Sequence, residues 1–322
     1  MTGTAARAVV LAAAVVALAL VPLLGGKFAV DFVTKMMVSA IFALSLELLV
    51  GQTGLVCFGQ AAFFGVAAYA CVLLTPKGGP ASVWWLAPAS LGAAALYALV
   101  MGSLSIRTRG VYFIMVTLAF SQLVYFVFHD TKLGGGSDGI YLYAKPHAKL
   151  GSWMLFDLAN STSFYYVLLV LLVLVFAFLR LLLASRFGRA LAGIRSNEQR
   201  MRALGFNIFA YKLAAFVLAG AIAGLAGYFA AVQFGFVNPE MLSWHQSANV
   251  LLMVILGGSG TPFGAIVGAF SFIVLEDLFS LATKHWLLFM GGFVILAVML
   301  LPRGLVSVGE RRRTRVTVES HG

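Results

Sequence analysis

The chain has 322 residues, 61% of them hydrophobic and only 10% charged, with a formal net charge of +11. A composition this apolar excludes a water-soluble globular domain and leaves an integral membrane protein. A basic balance in a soluble protein would point to nucleic acid. In a membrane protein the bias of cytoplasmic loops toward Arg and Lys accounts for it, so no nucleic-acid partner is expected.

A hydrocarbon core about 30 Å thick needs roughly 20 apolar residues per helix. Suitable segments run over 8–25, 28–50, 61–75, 83–104, 110–128, 163–184, 209–232, 246–257, 262–279 and 286–301. The expected fold is therefore an all-α membrane protein of about ten transmembrane helices. It forms one polytopic domain over 1–322, with no room for a soluble catalytic domain. The first segment follows Arg7 and ends in Leu24-Gly25-Gly26, much as a secretory signal does. Its length, the lack of an A-x-A-type cleavage site and the span that follows at once favour a retained helix. Cys57 and Cys71 stand in apolar surroundings, where packing rather than a disulfide is expected.

With the amino terminus inside, ten spans bring both termini to the cytoplasm. All fourteen Arg and Lys212 then fall on that side, while Lys27, Lys35, Lys77, Lys132, Lys145, Lys149 and Lys284 fall on the other. The positive-inside rule fixes this orientation. The cytoplasmic side thus receives Arg107, Arg109, the segment 185–208 and the basic tail 303–322 with Glu310-Arg311-Arg312-Arg313. The longest outer connection, 129–162, carries Gly134-Gly135-Gly136 and faces the periplasm, as a docking surface or lid or as a plain exposed loop.

Within the inner segment, Phe187, Leu191, Ile194, Met201 and Leu204 fall at helical spacing, surrounded by Arg186, Arg189, Arg195, Arg200 and Arg202 and by a single acid, Glu198. That pattern predicts one basic amphipathic helix over Ser185–Gly205. Two readings stand: the helix lies on anionic lipid, or it docks into a cytoplasmic partner.

Two apolar segments are broken in a similar way, by Gly51-Gln52-Thr53-Gly54 and by Gly257-Gly258-Ser259-Gly260-Thr261-Pro262. Such paired breaks mark unwound helix beside a transport pathway, or ordinary turns at the membrane surface. The uncharged polar residues Gln52, Thr53, Gln60, Ser121, Gln122, Ser259 and Thr261 lie in or near them or inside a span, available to a polar solute or to a neighbouring helix. Glu47 stands one turn before the first break, as a pathway acid or as an interfacial carboxylate. Asp31 and Lys35, four apart, are expected to neutralise each other; Glu276 and Asp277 are expected to form a solvated cluster with Lys284 and His285. The run Ala219 to Gly227 is a close-packing surface.

No G-x-x-x-x-G-K-[ST] stretch occurs, so nucleotide phosphates are not cradled here in the P-loop manner. Gly134-x-Gly136-x-x-Gly139 matches a dinucleotide pattern by letter but follows no strand. The five His show no metal-ligand spacing and no nucleophile motif is present, so neither a catalytic nor a metal site is expected. An ion-coupled secondary transporter relying on Glu47 and a membrane enzyme using His129 and Asp130 are the rival classes.

Three stretches together resemble the LivM/LivH permease family, the membrane subunits of branched-chain amino acid ABC importers, and the LivM branch more than the other. They are Gly51-Gln52-Thr53-Gly54-Leu55 with Gly59-Gln60-Ala61-Ala62-Phe63-Phe64-Gly65; Gly188-Arg189-Ala190 through Ile194-Arg195-Ser196-Asn197-Glu198 and Ala203-Leu204-Gly205 to Tyr211-Lys212-Leu213 and Ala223–Gly227; and Leu256–Thr261 with Gly264-Ala265 and Gly268. The resemblance covers roughly 30–305. It implies a bacterial inner-membrane permease moving a branched-chain amino acid or a related small solute such as urea, an amide or an aromatic acid. It also implies two ATPase subunits that bind ATP and Mg, a second LivH-like permease subunit, and a periplasmic substrate-binding protein. This chain itself would carry no cofactor. The coupling contact implied for the second stretch rests on Arg195, Asn197, Glu198 and Gly205, and the neighbouring Arg189 and Arg200 are further coupling candidates; the breaks themselves make Glu47, Gln52, Thr53, Gln60, Ser259 and Thr261 the candidate solute pathway. Gln199-Arg200-Met201-Arg202 departs from the family's Ala-rich step by its extra positive charge.

Overall fold

Uninterrupted apolar runs have no water to satisfy their backbone groups and close every N–H onto a carbonyl of the same segment, which makes helices. The structure, a computed structural model, describes residues 13–23, 25–76, 81–150, 153–156, 158, 160–300 and 304–305. Its helices are α1 (Ala13–Leu23), α2 (Lys27–Glu47), α3 (Gln60–Leu74), α4 (Val83–Ser105), α5 (Val111–Asp130) and α6 (Ser161–Ala184). There follow α7 (Arg186–Ser196), α8 (Glu198–Ala203), α9 (Ile208–Phe234), α10 (Trp244–Gly257), α11 (Pro262–Ala282) and α12 (Trp286–Leu300). Arg7, Lys77, Arg303 and the tail arginines Arg311–Arg313 lie outside the described residues.

Six of these helices are long and apolar enough to cross a membrane: Lys27–Thr53, Val83–Ser105, Val111–Asp130, Ser161–Ala184, Ile208–Phe234 and Pro262–Ala282. Two of them form the interior. The apolar windows of Lys27–Thr53 and Ile208–Phe234 are 78% buried, against 22% for α4 and α5 and 28% for α6 and α11, which ring the outside.

The chain repeats its plan. Helices of 27, 15, 23 and 20 residues (α2 with its last turn, α3, α4, α5) are matched by helices of 27, 14, 21 and 15 residues (α9, α10, α11, α12). The second run is inverted relative to the first. Gln233, at the end of α9, donates to the carbonyl of Asp31 near the start of α2 (3.1 Å), so the two core helices are antiparallel. An inverted repeat of this kind is a common plan of membrane transporters.

Small residues bring the helices together. A Cβ on Gly220 or Gly224 of α9 would stand 2.4 Å from that of Ala98 or 2.5 Å from that of Ala94 on α4, and one on Gly227 would stand 1.9 Å from the carbonyl oxygen of Phe64 on α3. Helix backbones in lipid associate through such close approach.

The connection after α5 carries short strands, and one expected ion pair is corrected. β1 (Ile140–Tyr141) pairs antiparallel with β4 (Phe236–Val237), and β2 (Ala148–Leu150) pairs with β3 (Trp153–Phe156). Short strands form there because the loop must satisfy its own backbone groups, and β1 ties it to the end of α9. Lys35 pairs not with Asp31 but with Glu276 (3.8 Å), because α11 packs along α2 and brings that carboxylate to it.

Candidate functional site

The segment 185–205 folds as two short helices rather than one. Ser185 caps α7 by accepting from the Gly188 amide (3.4 Å), and Asn197 leaves helical geometry (φ −159°, ψ 101°) to cap α8 by accepting from the Arg200 amide (2.9 Å). Asn followed by Glu is a helix start, and the favourable cap outweighs continuity. α8 ends at Gly205, whose φ of +85° suits glycine. There the Phe206 amide bonds the Met201 carbonyl (3.1 Å) and the Gly205 amide that of Arg202 (3.0 Å), a Schellman closure. Met201 folds back beneath Gly193, where a Cβ would stand 2.8 Å from its sulfur.

The apolar side of α7 packs on its own chain, not outward. Ala190, Leu191 and Ile194 are buried, and α7 lies against the last turn of α2. Arg186, Arg189, Arg200 and Arg202 are exposed beside Leu204, Phe206 and Phe209. Glu198 is held inward by ion pairs with Lys212 at the start of α9 and with Arg109 (3.6 Å) in the α4–α5 turn.

Beneath α7, α2 widens into a π-helical turn, Leu48–Thr53. The Leu49 carbonyl there accepts from the Gly54 and Leu55 amides and from the Thr53 hydroxyl (2.7 Å). Such widened turns recur at functional sites. Arg195 of α7 donates to the Gly51 carbonyl. On the other side of the turn, Glu47 Oε1 accepts from the Gly260 amide (2.7 Å) and Gln52 Nε2 donates to the Gly260 carbonyl (3.3 Å). Both glycine breaks and α7 therefore meet at one point. Leu305, beyond α12, joins it by donating its amide to the Leu256 carbonyl (2.9 Å).

A second polar set holds the short helices. The non-helical stretch 54–59 leads to the start of α3, where Thr117 of α5 accepts from the Phe58 amide (3.3 Å) and Ser247 of α10 accepts from the Ala61 amide (3.0 Å). Gln60 donates to Ser45 (2.7 Å) and to the Ala219 carbonyl (3.5 Å), and Ser121 donates to the Leu242 carbonyl (3.2 Å). Side chains thus replace the partners that the helix starts lack. Cys57 is wholly buried in this stretch, and burial pushes its thiol up to about 12. Cys57, fully protonated at neutral pH, and the equally buried Cys71 should resist a maleimide in the folded protein and react once it is denatured. Fast reaction at Cys57 in a folded Cys71→Ser variant would show that 54–59 opens.

The family described as "Branched-chain amino acid transport system / permease component" matches residues 28–301. The chain belongs to this family. It is 32% identical over 304 residues to the high-affinity branched-chain amino acid transport system permease protein LivM of Escherichia coli K12, covering 88% of this chain and 71% of that one. The LivM of Salmonella typhimurium is 31% identical over the same shares. The autoinducer 2 import system permease protein LsrC of Photorhabdus laumondii is 33% identical over 138 residues, 41% of each chain. No solved structure matches. The relatives are transport permeases, not enzymes, and this member of the branched-chain permease family is likewise a multi-pass membrane permease component.

Arg195, picked for coupling, meets Glu47 and Gln52, picked for the pathway, at the π turn. Glu47 is buried within the chain, where Gly51 leaves room for its carboxylate along its own helix. Thr53 and Gln60 are buried and bonded within the chain; Thr261 caps α11 by accepting from the Gly264 amide (3.2 Å); Ser259 is exposed in the turn. Asn197, Glu198 and Gly205 shape α8, Arg189 donates to the Ala184 carbonyl (2.9 Å) at the end of α6, and Arg200 points outward. Sequence reasoning missed Arg109 and Lys212 as partners of Glu198, and the Gly260 amide as partner of Glu47. Only the lone acid among many arginines hinted at the first.

Proposed function

We propose that this permease component is the membrane-spanning subunit of an ABC importer in a bacterial inner membrane. It crosses about ten times with both termini in the cytoplasm, as the positive-inside rule has it. Segment 185–208 is its cytoplasmic coupling element, 129–162 its periplasmic face and 303–322 its basic inner tail. Two ATPase subunits carry ATP and Mg, a second LivH-like permease chain completes the pathway, and a periplasmic binding protein delivers the solute. The LivM relatives are named for branched-chain amino acids, which makes such an amino acid or a related small solute the cargo. The observation that carries this reading is the two-sided build of α7 and α8. One side is bonded to the π turn through Arg195, and the other offers Arg189, Arg200, Arg202, Leu204 and Phe206 to a partner. In this reading Arg189 and Arg200 touch the ATPase, while Asn197, Glu198 and Gly205 keep α8 in shape.

Single cysteines test the topology, since both native ones are buried. Ser196→Cys should react with an impermeant maleimide in inside-out vesicles only, and Tyr143→Cys in right-side-out vesicles only. Co-expressed with the ATPase chains of its import system, the protein should purify with them. Labelling of Ser196→Cys from outside, or failure to co-purify, overturns the reading.

A further inference from the structure

Gly260 is gripped on both sides of its own residue. Its N–H goes to the Glu47 carboxylate (2.7 Å) and its C=O to the Gln52 amide (3.3 Å), and both side chains stand on one turn of α2. Its φ of +107° is one that side-chain-bearing residues rarely adopt. Gly51 is the complementary condition, since a Cβ there would stand 1.9 Å from Glu47 Oε1 and push the carboxylate away. Glu47 is 1% exposed, and its second oxygen, Oε2, has no hydrogen-bond partner among the described residues. A buried carboxylate with an unmet acceptor is costly unless a donor lies within reach in another state. The Arg195 guanidinium is such a donor: it is bonded to the Gly51 carbonyl, four residues along the same helix.

We propose that Glu47 and Gln52 form a clasp that fastens the 257–262 turn to the end of α2, and that α7 releases it. When α7 is displaced, Arg195 leaves the Gly51 carbonyl for the unmet Oε2 of Glu47 and draws the carboxylate off the Gly260 amide, and the 257–262 turn parts from the end of α2. Glu47 and Gln52 are then positioning residues that pass the movement of the coupling segment to the second break. This rests on the coupling role proposed for α7 and α8.

The reporter is Thr53→Cys, a buried position beside the clasp. In the purified full chain without ATPase, its maleimide labelling should quicken about tenfold on adding Glu47→Ala, the size of effect expected for losing one buried hydrogen bond, and also quicken with Gln52→Ala. Glu47→Gln keeps an acceptor for Gly260 and should label slowly. In the complex with its ATPases, however, Glu47→Gln offers Arg195 only a neutral acceptor and not a charge-assisted pair. Uptake should fall at least about tenfold while ATP hydrolysis persists, and nucleotide should no longer alter the labelling rate. Unchanged labelling in both Glu47→Ala and Gln52→Ala overturns the clasp. So does normal uptake by Glu47→Gln, which also serves if the alanine variant does not fold. The labelling arm needs no partner, so a failure of ATPase assembly overturns the coupling role alone.

Discussion

Glu198→Lys is expected to abolish most solute uptake, and a second change, Lys212→Glu, to restore much of it. The carboxylate of Glu198 joins α8 to the start of α9 through the buried Lys212 ammonium and to the α4–α5 turn through Arg109. A lysine in its place sets three cations together and leaves Lys212 without its partner in a site with little water. Removing one partner of a fully buried pair costs several kcal/mol; with the Glu198 side chain 32% exposed the figure falls to about 1–2 kcal/mol. That is enough to detach α8 from the transport core, so uptake by the assembled importer should drop more than about tenfold. The exchanged pair returns the attraction to Lys212's position, and Arg109, whose side chain is 74% exposed, tolerates the reversal through solvent screening. Rescue separates two roles for Glu198. If the carboxylate instead made its essential contact with an ATPase, Lys212→Glu would restore nothing.

Gly257→Val is expected to remove the folded protein altogether. A Cβ there would stand 1.8 Å from the Gly264 carbonyl oxygen and 2.8 Å from the Gly268 nitrogen, so α10 and α11 touch backbone to backbone. Over-packing an ordinary core costs about 1–3 kcal/mol because side chains can shift. Here the obstacle is main chain, which cannot rotate away, and the separated helices would also pull Gly260 from Glu47. Size-exclusion profiles in detergent should show aggregate or no protein for Gly257→Val. Gly292→Val on α12, with nothing within 4 Å of its Cβ position, should run as the parent does. A monodisperse Gly257→Val would show that α10 and α11 have slack.

The contrast between these two sites shows what a linear reading can reach. Apolar length marked the six helices long enough to span, whereas α3 and α10, with 15 and 14 residues, fall short of the expected length; the small-residue run Ala219–Gly227 announced close helix packing, because both signals depend on local composition. The π turn Leu48–Thr53 left no such trace: the donors to its Leu49 carbonyl are local, but the groups that flank the turn, Arg195 and Gly260, come from distant segments that only the folded chain assembles. The splitting of 185–205 was readable in principle, as Asn197-Glu198 is a helix start, but the amphipathic period ran across it and masked it. Asp31 and Lys35 misled because the four-residue rule weighs one helix alone, whereas Glu276 comes from another. Glu47 was visible as an acid near a break, yet its partner lies 213 residues away along the chain.

The matched, oppositely directed halves bear on energetics. If each half can take the shape the other now holds, exchanging the two shapes turns an inward-facing molecule into an outward-facing one of nearly equal free energy. A machine poised between two such wells needs only a modest tilt to tip over. A few hydrogen bonds at Gly260, made or broken by a shift of α7, are of the right size to supply it.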